Sequence, residues 1–384
     1  MSDLRRLLIA NAQQQDLTYT EVEYATFNGN AYVDLGVGAT QNTKTYIRFY
    51  NTQSSGSNIF GNAENPYYYL GIANSNKLIF GYSANDYSTN STTCSVNTWH
   101  TVTFEKSGIS LDNTAIQSFS SAADFNVSNL YLGAVKGINT KFYGNIAIVR
   151  IYESTILTHE FVPVKLSNNT VCFYDNVTQT IKYPIGTLTA GREIHRVEYL
   201  RNTASSYINT QIASWNNSLE LEVKCTVESQ SGTRSYWGGY DKWSGDGRQV
   251  PNITTWSSYK VASNFVAQSG TLNLGIANGQ TGIFSLKGNT IGWSAGTSAT
   301  FDRMENQQFT MNQAIVLFCQ HRGTTFDQYT TTSIYYAKFW INSELVGHFQ
   351  PARDSNNLGF MFDEVKHQVF ENAGSGSFSY GADL

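Results

Sequence analysis

One pattern occurs twice in this sequence, and the repeat limits the folds that the chain can adopt. Near FYDNV, Pro163 precedes Asp175 by twelve positions, and near MFDEV, Pro351 precedes Asp363 by twelve positions. Each pair encloses the tripeptide Ser-Asn-Asn. The two prolines and the two aspartates are related by the same offset along the chain, since 351 − 163 equals 363 − 175. A self-match of this kind indicates two tandem copies of one structural unit.

The beginning of each copy repeats as well. A Glu-Tyr pair is followed eight positions later by a second tyrosine, at Tyr24 and Tyr32 and again at Tyr199 and Tyr207. The offset between the copies at these tyrosines, 199 − 24, is smaller than the offset at the two prolines, 351 − 163. The second copy therefore contains an insertion between these two positions. The repeat predicts an N-terminal segment and two domains, at residues 1–19, 20–191 and 194–384.

Short apolar runs fill both copies and lie between clusters of Gly, Asn and Ser. TYIRFY, YYYLGI, HTVTFE and NIAIVRIY are rich in Tyr, Phe, Ile, Val and Thr, which is typical of β-strands. A unit of about 170–190 residues built this way suits a jelly roll of two packed sheets. We therefore predict an all-β protein.

The first residues follow a different pattern. In DLRRLLIANAQQQ, Leu4, Leu7 and Leu8 lie at helical spacing and Asp3 stands near the N-cap. We predict a short helix there. A helix of this length is marginal alone in water, so its apolar stripe indicates a docking segment for another chain.

Composition excludes several partners. Net charge is −4 and only 14% of residues are charged, so the basic face that nucleic acid requires is not expected. The longest apolar runs have the length of strands, and we expect no membrane span. The four cysteines are far apart, and Cys172 and Cys319 lie in apolar runs. They are interpreted as small buried hydrophobic residues.

Several segments resemble one family. NTWHTVTFEKSGISLDN is similar to the Trp-His strand of laminin-G-like, concanavalin A-like domains. The opening EVEYATFNGNAYVDLGV, the closing GNIAIVRIYES…EFVPVKLSNNTVCFYDNVTQTIKYPIGTLTAG and the leader LRRLLIANAQ resemble such domains in tail, baseplate and other virion proteins of gut bacteriophages and prophages. The second copy lacks the Trp-His pair, and GIFSLKGNTIGW occupies the comparable place.

This resemblance implies two tandem concanavalin A-like (laminin-G-like) jelly-roll sandwiches preceded by a short N-terminal helix. It also implies a virion structural protein of the tail, the baseplate or the head surface, assembled in the host cytoplasm. Expected partners are other virion proteins bound through the N-terminal segment, further copies of the chain, and glycans on the host surface. No nucleic acid, membrane or cofactor is expected.

The best glycan-binding segment is SYWGGYDKWSGDGRQVPNITTW, because sugar sites combine an aromatic platform with polar groups. Trp237 and Trp256 within it are interpreted as core residues. A second candidate segment is NAENPYYYLGIANSN, where Tyr68 faces opposite to its two neighbours. The candidate glycan-binding residues are Tyr240, Asp241, Trp243, Asp246, Arg248 and Tyr68. Asp241 and Asp246 are also candidate calcium ligands, although Lys242 lies between them.

No catalytic residue is predicted. Concanavalin-like hydrolases place two carboxylates at alternating positions of one strand, as in Glu-x-Asp-x-x-Glu, and this pattern does not occur. Two alternatives to a virion protein remain: a secreted or cell-surface carbohydrate-binding module of a gut bacterium, and a glycoside hydrolase on this fold. The missing carboxylate pair disfavours the hydrolase.

Asp175 and Asp363 are predicted to be structural. Each follows aromatic residues at a strand end, where an Asp carboxylate caps the backbone N–H groups of a turn. Replacing either residue with Ala is expected to cost about 1–2 kcal/mol.

Overall fold

The structure is a computed structural model, and its description covers these residues: 18–53, 56–83, 86–119, 124–203, 205–213, 218–228, 234–240, 252–256, 260–265, 268–272, 274–288, 290–300, 314–322, 325–327 and 329–384. The chain divides into two compact units, residues 1–193 and 194–384. Apart from one 3-10 helix, Asn74–Asn76, the regular elements described are all β-strands.

The strands of the first unit are β1 (Tyr19–Val22), β2 (Ala25–Asn28), β3 (Tyr32–Asp34), β4 (Ala39–Thr40), β5 (Thr43–Asn51), β6 (Ser57–Asn62), β7 (Tyr67–Ile72), β8 (Lys77–Ser83), β9 (Asp86–Thr93), β10 (Thr98–Glu105), β11 (Gly108–Leu111), β12 (Thr114–Ser118), β13 (Asn126–Val127), β14 (Tyr131–Leu132), β15 (Ala134–Val135), β16 (Ile138–Lys141), β17 (Tyr143–Glu153), β18 (Ile156–Leu166), β19 (Val171–Asp175), β20 (Thr180–Lys182), β21 (Pro184–Ile185) and β22 (Thr189–Ala190).

The strands that follow are β23 (Glu193–Arg196), β24 (Leu200–Asn202), β25 (Ile208–Asn209), β26 (Glu220–Val227), β27 (Arg234–Tyr240), β28 (Asn252–Trp256), β29 (Lys260–Phe265), β30 (Gln268–Leu272), β31 (Gln280–Lys287), β32 (Thr290–Trp293), β33 (Ser298–Thr300), β34 (Val316–Leu317), β35 (Gln320–Arg322), β36 (Thr325–Asp327), β37 (Thr332–Ile341), β38 (Glu344–Arg353), β39 (Gly359–Asp363), β40 (Gln368–Phe370) and β41 (Phe378–Tyr380).

The first unit consists of two sheets around one apolar core. One sheet has the order β21-β3-β14-β6-β7-β8-β9, and the other is centred on the antiparallel strands β10, β5, β17 and β18. Side chains alternate along β10, where Val102 and Phe104 are buried and their neighbours are partly exposed. Phe104 meets Tyr68 of the opposite sheet at a ring-centroid distance of 4.7 Å, so the core lies between the sheets.

The second unit repeats this plan. One sheet has the order β25-β34-β27-β28-β29-β30, and the other is centred on the antiparallel strands β31, β26, β37 and β38. The Tyr236 and Phe284 rings, one from each sheet, lie 5.6 Å apart within the core. All-β architecture is therefore confirmed for the described residues.

The repeated prolines and aspartates have the same strand partners in both units. In the first unit Pro163 lies opposite Phe173 in β19, and Asp175 lies opposite Phe161 in β18. In the second unit, Pro351 and Asp363 have the corresponding partners, Met361 and Phe349.

The repeated Glu-Tyr pairs also have a common structural role. The backbone N–H of Gly191 donates to the Tyr24 carbonyl at 2.8 Å, and that of Gly381 donates to the Tyr199 carbonyl at 3.0 Å. A Cβ at either glycine would lie 2.9 Å from the ring of the same tyrosine. Each tyrosine therefore fixes the end of its unit against the beginning, and a larger residue than glycine would displace the ring.

Two sequence predictions lie outside the described residues. They are the N-terminal helix at 1–19, of which only residues 18 and 19 are described, and its apolar stripe of Leu4, Leu7 and Leu8. Among the described residues, no helix has the length and apolar character needed to span a membrane. All four cysteines are buried and unpaired with one another, which confirms the interpretation of Cys172 and Cys319 as core residues.

Candidate functional site

Tyr68 belongs to the core, which corrects its prediction as a glycan-binding residue. Its side chain is fully buried, and its hydroxyl lies 2.9 Å from Thr45 Oγ1 and 3.2 Å from the Phe104 carbonyl. Strand β7 places alternate residues on opposite faces, and Tyr68 is on the face that meets the other sheet. Burial between two sheets leaves no ring face available to a sugar.

The other candidate segment, SYWGGYDKWSGDGRQVPNITTW, is described only in part. Trp237 is buried, as predicted for a core residue, and Tyr240 ends β27 with Arg322 of β35 as its strand partner. The predicted residues Asp241, Trp243, Asp246 and Arg248 lie outside the described residues, as does the candidate calcium site. Trp256 lies in β28, but its side-chain environment is not among the described features.

The strands that lead into the two predicted glycan segments have equivalent neighbours in their sheets. In the first unit Tyr131 pairs with Asp34 on one side and with Gly61 on the other. The second unit has Val316 between Asn209 and Gly238 in the same arrangement. The residues that follow β6 and β27 therefore begin at corresponding ends of corresponding strands, and within the two segments Tyr67–Ile72 and Asn252–Trp256 are strands β7 and β28 of the same sheets.

An aromatic pair marks this edge in the first unit. The rings of Tyr32 and Tyr131 are stacked with centroids 5.1 Å apart and an interplanar angle of 30°. The Lys141 Nζ lies 5.3 Å from the Tyr32 ring centroid and donates a 3.3 Å hydrogen bond to the Asn30 carbonyl. A cation over a stacked aromatic pair combines a flat apolar surface with a hydrogen-bond donor.

Polar groups of the loop after β6 surround the pair. Lys136 Nζ lies 2.9 Å from Glu64 Oε2, and Asn62 Nδ2 donates to the Ser128 carbonyl at 2.6 Å. The hydrogen bond that Lys136 donates to Glu64 raises the pKa of Lys136, which keeps this lysine cationic. Burial and the nearby Asp34 carboxylate raise the pKa of Tyr131, so its hydroxyl remains a donor. We call this surface the first rim; it consists of Tyr32, Asp34, Glu64, Tyr131, Lys136 and Lys141, and the buried Asn62 lies beneath the surface.

The second unit has a more aromatic version of this edge. The Tyr207 ring, at the position of Tyr32, stacks on Phe326 with centroids 4.3 Å apart. Phe326 in turn stacks on His321, also at 4.3 Å. We call Tyr207, His321 and Phe326 the second rim. His321 pairs with Gly239 of β27, directly before the loop that carries the predicted glycan residues.

Sequence reasoning did not identify either rim as a site. Tyr32 and Tyr207 were detectable as repeat positions, but their stacking partners, Tyr131 and Phe326, are distant from them in the sequence. In the first unit the pairing of β3 with β14 brings these positions together, and in the second Phe326 reaches the rim through the pairing of β36 with β35 and of β35 with β27.

The histidine of the Trp-His strand is structural. The buried His100 donates from Nδ1 to Asp112 Oδ2 at 2.8 Å and from Nε2 to the Ser95 carbonyl at 3.0 Å. Burial lowers its pKa, but the hydrogen bonds to Asp112, Cys94 and Ser95 outweigh burial and raise the pKa to about 10. An imidazolium with both nitrogens engaged cannot act as a general base at neutral pH.

Metal chemistry finds no support in the part of the chain that is described. No group of three or more His, Cys, Asp or Glu side chains there lies close enough together to hold a metal ion. What the rims offer is non-covalent: aromatic faces, amide groups and cations at the edge of a rigid sheet, which suits reversible binding of a polar ligand with apolar faces.

Comparison with known proteins leaves the family open. No protein-family profile matches the sequence. No curated protein matches it either. Among solved structures, domains LG4-5 of the mouse laminin alpha1 chain are similar over 87% of this chain and 95% of that chain, with 12% identity and a TM-score of 0.28. A TM-score this low carries no inference about function, so the fold rests on the strand pairings of this chain.

Proposed function

We propose that this chain is a non-enzymatic structural protein of a bacteriophage virion, made of two laminin-G-like units whose rims bind host-surface glycans. The observation that carries the binding role is the equivalence of the two rims. Two segments with sugar-binding composition begin at corresponding ends of corresponding strands, next to an aromatic stack in each unit.

Sugar rings present apolar C–H faces and a perimeter of hydroxyl groups. The Tyr32–Tyr131 stack and the partly exposed Phe326 ring provide apolar surfaces, and Lys141 provides a nearby polar group, whereas Tyr207 is buried and holds the Phe326 ring through their stack. A sheet edge keeps these groups in fixed positions, which lowers the ordering cost of binding. The virion role is supported by the opening, closing and leader segments, which resemble those of phage tail and baseplate proteins.

A glycan array probed with the full chain tests the binding role. Tyr32→Leu and Phe326→Leu retain apolar bulk but remove a partly exposed ring, and each is expected to weaken binding about two- to tenfold, since aromatic stacking contributes about 0.5–1.5 kcal/mol beyond buried area. Tyr152→Leu is the matched control, because this half-buried tyrosine lies on the other sheet near Lys44. Binding that survives both rim substitutions would contradict the proposal.

Mass spectrometry of purified phage particles tests the virion role, and the N-terminal segment provides the docking test. Deletion of residues 1–16 is expected to leave a folded chain with an almost unchanged Tm but to abolish its incorporation into particles or its self-association. If the truncated chain melts much earlier, the segment belongs to a domain core. Recovery of the chain only from culture medium would instead support a secreted module.

A further inference from the structure

We propose that the first rim selects glycans that carry carboxylate groups, with Lys141 and Lys182 as the selecting cations. This inference rests on the glycan-binding function proposed above and adds the chemical class of the ligand. It follows from the charges around the first rim and from the replacement of one of these lysines in the second unit.

The carboxylates of the first rim already have partners. Asp34 Oδ1 accepts from the Gly36 N–H at 2.9 Å, and Asp34 Oδ2 accepts from Asn129 Nδ2 at 3.3 Å. Glu64 forms its ion pair with Lys136 at 2.9 Å. Asp34 keeps its negative charge, because both of its donors are neutral, but neither acid forms an ion pair with Lys141 or Lys182.

Two lysines lie near these groups, and neither amino group forms an ion pair with a carboxylate among the described residues. Lys141 lies over the Tyr32 ring near Asn30, and a Cβ at Gly36 would lie 3.3 Å from Lys182 Nζ. Positions 30 and 36 are separated by at most about 20 Å of chain, a span that one oligosaccharide can bridge.

An exposed apolar strip continues the surface between the two lysines. Tyr183 and Ile185 are each 55% exposed, and Ile185 lies opposite Tyr32 in the pairing of β21 with β3. Large apolar side chains exposed beside a stacked aromatic pair indicate an interaction surface rather than solvated sheet. The strip and the two cations together match a ligand with apolar ring faces and negative charges.

The second unit has an aromatic residue at the position of one of these lysines. Lys182 pairs with Phe173, and the residue with the corresponding pairing to Met361 is Phe370. Tyr207 is covered by Phe326, whereas the corresponding Tyr32 has the Lys141 amino group above it. At the offset that relates the two prolines, Glu371 stands where the first unit has Tyr183. The two rims differ in their aromatic residues as well as in charge, because Val316 has the strand position of Tyr131, so the preference for acids is expected of the first rim alone.

The test compares galacturonate oligosaccharides with the same chains converted to methyl esters, by titration calorimetry with the full protein. The acid form is expected to bind about tenfold or more tightly than the ester, since a hydrogen bond to a charged group is worth at least that factor. Raising the salt concentration should reduce the difference in affinity between the acid and the ester.

Variants locate the selectivity. Lys141→Gln combined with Lys182→Gln should bring acid and ester to equal affinity without changing Tm, because both side chains are partly exposed. Lys106→Gln, an exposed lysine in the turn between β10 and β11 of the other sheet, should leave the preference intact. If Lys106→Gln weakens the preference as much as the double variant does, the attraction is non-specific and the inference is wrong.

The outcomes also separate this inference from the function on which it rests. Equal binding of acid and ester by the unmodified chain, with neutral glycans still bound on the array through Tyr32, overturns the acid selectivity alone. Absence of binding to any glycan overturns the proposed function, and the selectivity with it.

Discussion

Asp175 and Asp363 accept the same two backbone hydrogen bonds at equivalent places in the two units. Asp175 Oδ1 accepts from the N–H groups of Glu160 and Val177, both at 3.1 Å. Asp363 Oδ1 accepts from the corresponding N–H groups of His348 and Val365, at 2.9 and 3.0 Å. The turn-capping role predicted for both aspartates is thereby confirmed, and each also fixes the neighbouring strand.

The second oxygen distinguishes the two carboxylates. Asp175 Oδ2 accepts from His159 Nδ1 at 2.7 Å and from Thr178 Oγ1 at 2.6 Å. Asp363 Oδ2 is buried and has no hydrogen-bond partner among the described residues. At the offset that relates the two aspartates, Gly347 and Lys366 replace the two donors. One turn motif therefore contains a stabilised carboxylate in the first unit and an incompletely satisfied one in the second.

Asp175→Asn is expected to destabilise the first unit by about 2–3 kcal/mol, because the amide removes the charge that His159 and Thr178 stabilise. Burial raises the pKa of Asp175, but the hydrogen bonds from Thr178 and His159 outweigh burial and lower it below its usual value of 3.8. The stabilisation is therefore present above about pH 3.8 and is lost as the pH falls further. Hydrogen exchange resolved by peptide should show first-unit peptides losing protection in acid, and unchanged acid sensitivity in Asp175→Asn would contradict this assignment.

Asp363→Asn should not destabilise the second unit in the way that Asp175→Asn destabilises the first. Burial raises the pKa of Asp363 above 3.8 and outweighs the hydrogen bond from the His348 N–H. A carboxyl with a raised pKa stabilises the fold below its ordinary pKa, and this stabilisation is lost as the pH rises through the native value. Asp363→Asn is expected to change the free energy of unfolding by less than about 1 kcal/mol at neutral pH, or to increase it. A loss of stability as large as that of Asp175→Asn, measured by the same exchange experiment, would show that Asp363 Oδ2 has a hydrogen-bond partner.

His100→Gln should make the free energy of unfolding depend less on pH in the alkaline range. Because the pKa of His100 is raised from 6.5 to about 10, its contribution is complete below pH 6.5 and declines as the pH rises toward 10. The substitution should cost about 2 kcal/mol at pH 6 and less at pH 10. Urea unfolding at several pH values measures this, with Asp112→Asn as the partner for a double-mutant cycle. Equal losses at both pH values would mean that His100 is neutral in the native state.

Gly282→Ala tests how the second unit compensates for the missing histidine. Gly282 has the strand position of His100, and a Cβ there would lie 2.7 Å from the Trp293 ring. Alanine should therefore cost about 2 kcal/mol through overpacking. Gly292→Ala is the control, because its closest contact is the rotatable Ser285 hydroxyl at 3.0 Å, and it should cost less.

A second substitution links this cost to the tryptophan. Trp293→Leu removes the ring that occupies the space over Gly282, so Gly282→Ala should cost less in that background. Additive losses in urea unfolding would show that the tryptophan does not fill the place of the histidine.

The all-β class, the turn-capping aspartates and the buried cysteines were accessible from the sequence, because alternation and turn residues are local properties. Alternation along 67–69 separated Tyr68 from its neighbours, but it could not tell which face meets the opposite sheet. Only the packing of β7 against β10 decided that Tyr68 is a core residue.

The rims and the divergence of the two aspartates depended on tertiary structure. Tyr32 and Tyr131 meet because β3 pairs with β14, and no local pattern encodes a pairing between strands so distant in the sequence. Likewise, the repeat located Asp175 and Asp363, while the donors that reach the second oxygen come from a neighbouring strand and the far side of a turn. Sequence periodicity determined what each strand presents on its two faces; the long-range antiparallel pairings decided which of those faces meet, and therefore which groups act together.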